Sequence, residues 1–138
     1  MLEHWEKWES REKINNKYYV DSICDSKEGF IITLSDSENE SEKVQVVFPE
    51  SVHAYRSTNE SYRQKIITDL DCKYGSEFYS KWTIFKVDQS EYLKWLSDQS
   101  YEISDSESLH HFSIIAVDSV VDIIAAYEPE IKCFSDYR

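Results

Sequence analysis

The sequence predicts an α+β domain: an antiparallel sheet, formed by an N-terminal meander and C-terminal strands, with about three helices packed on it. Three observations carry this. The first half holds short runs rich in Val, Ile, Tyr and Thr separated by polar turns. The second half switches repeatedly between period-two and helical patterning. The length, 138 residues, suits a single domain over 1–138.

Within it we distinguish an N-terminal helix or arm over 1–16, a β meander over 17–56 and a mixed α/β part over 57–138. Leu2, Trp5 and Trp8 share a helical spacing in the first part, but the segment is short and charged, so either a frayed helix or an extended arm fits. Tyr18 to Cys24, Phe30 to Ser35 and Lys43 to Phe48 read as the three meander strands, with Gly29 supplying the positive φ of the first turn and Pro49 ending the third strand. Val52 to Arg56 continues as a fourth strand.

A polar start at Ser57 to Glu60 opens a helix to Tyr74, whose Tyr62, Ile66, Ile67, Leu70 and Tyr74 form one apolar stripe that Gly75 terminates. Thr83 to Val87 follows as a strand, and Ser90 caps a short helix carrying Leu93, Trp95 and Leu96 to about Ser100. After a polar loop, Leu109 to Val117 is the best C-terminal strand. Asp118 or Ser119 is placed to cap a third helix over Val120 to Ala125, and Ile131 to Phe134 is a weak final strand.

Function is constrained mainly by charge. Asp plus Glu number 27 against 15 Lys plus Arg, a net charge of -12 that repels phosphate backbones and anionic lipid. No nucleic-acid or membrane partner is expected, and a basic protein surface is. With only two glycines there is no phosphate-cradling loop, and no cofactor is expected. The first twenty residues lack the apolar run of a signal peptide, which points to the cytoplasm.

Cys24, Cys72 and Cys133 are widely spaced and read as reduced, half-buried thiols. If Leu109 to Val117 is a strand, His110 and His111 point to opposite faces and cannot share a metal ion, so no metal site is expected. No Gly-x-Ser-x-Gly elbow is present, and a Ser-His-Asp set cannot be chosen from so many serines. No catalytic residue is singled out and the chain is expected not to be an enzyme. The feature that would reverse this is a concave pocket holding a His or Cys within hydrogen-bond reach of a carboxylate of shifted pKa.

Excess acid is combined with twenty aromatic residues, 10 Tyr, 6 Phe and 4 Trp. These rings either fill the core or anchor an interface, where carboxylates around them would select a basic partner. The acids gather in two loops. Asp36, Glu38, Glu40 and Glu42 lie in one, and Tyr101, Glu102, Asp105 and Glu107 in the other; these eight are the candidate partner-binding residues.

The segments Lys81-Trp82-Thr83-Ile84-Phe85-Lys86-Val87 and Ser90-Glu91-Tyr92-Leu93-Lys94-Trp95-Leu96, followed by Ser100-Tyr101, His111-Phe112, Val121-Asp122-Ile123-Ile124 and Glu128-Pro129, resemble small bacterial immunity proteins encoded beside polymorphic secreted toxins. The likeness runs from about residue 17 to 131. Glu102 stands where similar sequences would carry glycine. The resemblance implies a protein that binds a cognate toxin domain and neutralises it, here a basic nuclease whose active site or substrate cleft it would occlude. It implies no catalytic residue. The alternative is an acidic interaction adaptor or regulatory subunit unrelated to toxins.

Overall fold

The computed structural model describes residues 1–12, 14 and 16–136; Lys13 and Asn15, within the predicted N-terminal arm, lie outside the described residues. The fold is α+β, built as three layers. A five-stranded antiparallel sheet lies in the middle, with two helices on one face and a four-stranded antiparallel sheet on the other.

The middle sheet contains β1 (His4–Lys7), β5 (Ala54–Asn59), β6 (Ile84–Asp88), β7 (His110–Ile115) and β8 (Ser119–Ala125), in the order β1-β6-β7-β8-β5. The outer sheet contains β2 (Tyr18–Ser26), β3 (Gly29–Asp36), β4 (Glu42–Phe48) and β9 (Glu130–Ser135), in the order β2-β3-β4-β9. The predicted meander is therefore present, and the weak C-terminal strand is its fourth member. One sheet was expected where the chain forms two, because apolar residues on β7 and β8 face both ways and need a layer on each side.

The third predicted helix is instead strand β8. Val120, Val121, Ile123 and Ile124 are β-branched and fully buried, so the continuous apolar run belongs to a central strand rather than to a helix. Asp118 caps no helix; its Oδ1 accepts the Val20 amide and ties the β7–β8 turn to β2. The N-terminal segment is extended, pairing with β6, and buries Trp5 and Trp8. The two remaining helices are α1 (Gln64–Tyr74) and α2 (Glu91–Gln99). The first starts later than the spacing suggests, because Asn59 caps a separate 3-10 turn over Glu60–Tyr62 and Arg63 breaks the run at φ -118°.

Strand alternation divides the core in two. Phe112, Ile114, Val121 and Ile123 of the middle sheet meet Phe30, Ile32, Val46 and Phe48 of the outer one. On the other face, Leu70 of α1 packs with Trp5, Phe85, Val87 and Ile115. Gly29 joins β2 and β3 at φ 121°, where a Cβ would lie 2.6 Å from the Phe48 carbonyl oxygen, so this turn requires glycine. Lys17, just before β2, reaches across to donate to the Ile115 carbonyl at 2.6 Å, and burial lowers its amine to about 8. The three cysteines are exposed, not half-buried. Among the described residues no helix is long and apolar enough to cross a membrane.

Candidate functional site

Two regions concentrate polar chemistry: the carboxylate-rich loops and a cleft between α1 and α2.

The loops do not form one surface. Asp36 ends β3 beside Tyr18, and the Tyr18 carbonyl accepts the Val117 amide, so the β3–β4 loop lies at the β7–β8 turn. The loop 101–107 feeds into the opposite end of β7, a strand whose six residues span about 20 Å. Asp36 itself is buried; its oxygens accept the Glu38 amide and the Asn16 side-chain amide, so it shapes the turn. Glu42 accepts the Ser135 hydroxyl. Glu38 and Glu40 are exposed.

The second loop is presented differently. Tyr101 is 92% and Ile103 72% exposed, and Glu102, Asp105 and Glu107 are exposed around them. Tyr101 and Glu102 are consecutive left-handed residues, at φ 52° and 67°. A non-glycine residue there costs about 1 kcal/mol, and two in succession mark a strained tip. Glu102 thus holds a backbone conformation that glycine adopts without strain. Glu102→Gly should stabilise the fold by about 0.5–1 kcal/mol, read as a higher urea midpoint; a lower midpoint would show that the Glu102 side chain compensates for its backbone. Glu107 accepts from His53 Nε2 at 2.6 Å, anchoring the loop to the segment before β5.

The cleft was not found by sequence reasoning. His111 and Asp122 sit on adjacent strands, both on the helix-facing side, and are buried. His111 Nε2 donates to Asp122 Oδ1 at 2.7 Å. Nδ1 is hydrogen-bonded to the Ser90 hydroxyl at 2.7 Å, and Ser90 Oγ accepts the Leu93 amide as the α2 N-cap. Asp122 Oδ2 receives Arg56 Nε at 2.8 Å and Arg63 Nη1 at 2.9 Å. Burial alone would raise the Asp122 carboxyl; the His111 hydrogen bond and charge, with Arg63 and Arg56, overcome it and hold it well below the usual carboxylate range.

Around this centre, Arg56 lies 4.1 Å from the centre of the Tyr92 ring, which stacks on Trp95. Glu3 is buried against the N-terminus of α2, accepting from the Glu91 amide at 2.8 Å and from Trp5 Nε1 at 3.2 Å. Together these groups border a cavity of about 340 Å³.

The pocket criterion for catalysis is met in its geometry: His111 borders a cavity within reach of a carboxylate of depressed pKa. The order Ser90–His111–Asp122 has the partners of a hydrolytic triad with the ring nitrogens exchanged, the hydroxyl on Nδ1 and the carboxylate on Nε2. The hydroxyl, however, is 6% exposed by residue and serves as a helix cap, so the chain of bonds fastens α2 to β7 and β8. A signal for the cleft existed in the sequence, since Asp122 interrupts the otherwise apolar run 120–125, but only strand pairing shows that it meets His111 and Arg56.

A scan against protein-family models, a search of the curated proteins and a search of the solved structures each found no match.

Proposed function

We propose that this chain is an immunity protein, which binds the toxin domain encoded beside it and blocks that domain through the loop 101–107. The observation that carries the reading is the strained tip: Tyr101 and Ile103 project into solvent within a ring of carboxylates. An aromatic ring presented on a backbone already fixed by its own turn loses little rotamer freedom on binding, and the surrounding acids favour a basic partner such as a nuclease cleft. Strain of this kind concentrates where a loop is shaped for contact. The likeness to immunity proteins described above supports the same reading, as does the overall charge of -12.

The test is association with the purified neighbouring toxin domain, followed by the toxin's activity. Tyr101→Ala should weaken binding about 10- to 100-fold. Reversing Glu102, Asp105 and Glu107 together should slow association about tenfold at low salt and flatten its salt dependence. Reversing Glu38 and Glu40, at the far end, provides the contrast. Unchanged kinetics in the first two variants would overturn the loop assignment, and a toxin domain that neither binds nor loses activity would favour the adaptor reading.

A second reading, hydrolysis, draws on the Ser90–His111–Asp122 order. It requires an accessible hydroxyl, and covalent labelling of Ser90 by a fluorophosphonate would put it first.

A further inference from the structure

The cleft between α1 and α2 has donors in excess. Each guanidinium carries five N–H donors. Arg56 and Arg63 each spend one on the same Asp122 oxygen, and among the described residues neither donates another side-chain hydrogen bond. Neither makes the two-pronged contact to which its shape is suited. Arg63 is 18% and Arg56 44% exposed in the side chain, and both line the cleft, so their remaining N–H groups open to solvent there, where an anion can take the place of water.

The acids bordering the cleft are largely committed elsewhere. Both Glu3 oxygens accept hydrogen bonds, and Asp69 pairs with Lys65 at 3.1 Å. Glu91 is exposed on the first turn of α2. Two guanidiniums therefore share one hydrogen-bonded carboxylate, Asp122, while Glu3 keeps its charge because its donors are neutral, in a chain whose total charge is -12. The distant charge is screened beyond about 8–10 Å, so it disfavours polyanions without preventing a single oxyanion from reaching donors at contact distance. Beside these donors Trp95 is half exposed, with one face stacked on Tyr92. The volume, about 340 Å³, is in the range of small-molecule sites.

We propose that this cleft binds a small molecule that joins one planar aromatic ring to one anionic group, with the carboxylate or phosphate on Arg56 and Arg63 and the ring against Trp95. This stands independently of the toxin reading, since the loop 101–107 takes no part in it. Two sources share this chemistry, an aromatic carboxylate and a nucleoside monophosphate.

The full chain should be titrated by calorimetry with benzoate, AMP, adenosine and inorganic phosphate, with the Trp95 indole N–H followed by NMR. The expected result is saturable binding of benzoate or AMP with a shifted Trp95 signal, and at least about tenfold weaker binding of adenosine and phosphate, which lack the anion or the ring. Whichever of the first two binds identifies the source. Arg56→Gln should weaken binding about tenfold; Trp95→Leu, on the exposed rim, should do the same and is a second probe if Arg56→Gln does not fold. No saturation by either ring-bearing anion up to about 10 mM, adenosine binding as tightly as AMP, or affinity unchanged in the folded variants would overturn the proposal.

Discussion

Replacing Asp122 with alanine should destabilise the protein by about 3–5 kcal/mol, a large part of the total stability of an ordinary domain. The side chain is fully buried and accepts from His111, Arg56 and Arg63. Its removal leaves Arg63 as an uncompensated, mostly buried charge and releases the imidazole that holds Ser90 and the start of α2. Arg56, 44% exposed in its side chain, recovers part of its loss from water, so most of the cost falls on Arg63 and His111. A carboxyl whose folded pKa is depressed contributes stability that is complete above the unfolded value, near 3.9, and is lost as pH falls below it towards the folded value. Urea midpoints measured from pH 7 to pH 2 should therefore fall further in the parent than in Asp122→Asn, the two profiles converging below about pH 4. A cost below about 1.5 kcal/mol at pH 7, or parallel pH profiles, would show that the network does not hold the fold.

The same residue shows how far the sequence could be read. Runs rich in Val, Ile, Tyr and Thr between polar turns identify β2, β3 and β4, and Ser90 and the polar start at 57–60 stand where helical or 3-10 turns begin. These features depend on neighbours within a few positions. Val120 to Ala125 reads as a helix because Asp118 or Ser119 stands where a cap would and the run that follows is nearly continuously apolar around Asp122. In the structure Asp122 is a buried partner for arginines from β5 and from the residue before α1, more than fifty positions away. Its burial is tolerated only because those partners exist, and no local pattern records them. For the same reason the cleft was missed, whereas the loop 101–107, a contiguous feature, was read from composition. The separation of the two acidic loops follows from strand direction, which the composition of either loop does not encode.

Phe112→Ala should cost about 3–5 kcal/mol through a mechanism separate from that of Asp122. Phe112 is 1% exposed, and its ring lies 6.0 Å from both Trp8 and Phe48, so it joins the N-terminal segment and both sheets. A cavity there cannot close by moving one side chain, because the neighbours belong to elements fixed by their own hydrogen-bond ladders. Tyr62→Ala, 81% exposed, should by contrast change stability by no more than about 0.5 kcal/mol. A loss below about 1.5 kcal/mol in Phe112→Ala would mean that the sheets are held together elsewhere. The decisive form of the experiment uses milder changes. Phe112 points to the outer sheet, while its neighbours His111 and Ser113 face the helices with Asp122. If the apolar core and the ion network are independent, Phe112→Leu and Asp122→Asn should add to within about 0.5 kcal/mol in a double-mutant cycle. A coupling above about 1 kcal/mol would instead mean that β7 transmits strain between its faces, so that a ligand on Arg56 and Arg63 would alter the packing of the two sheets.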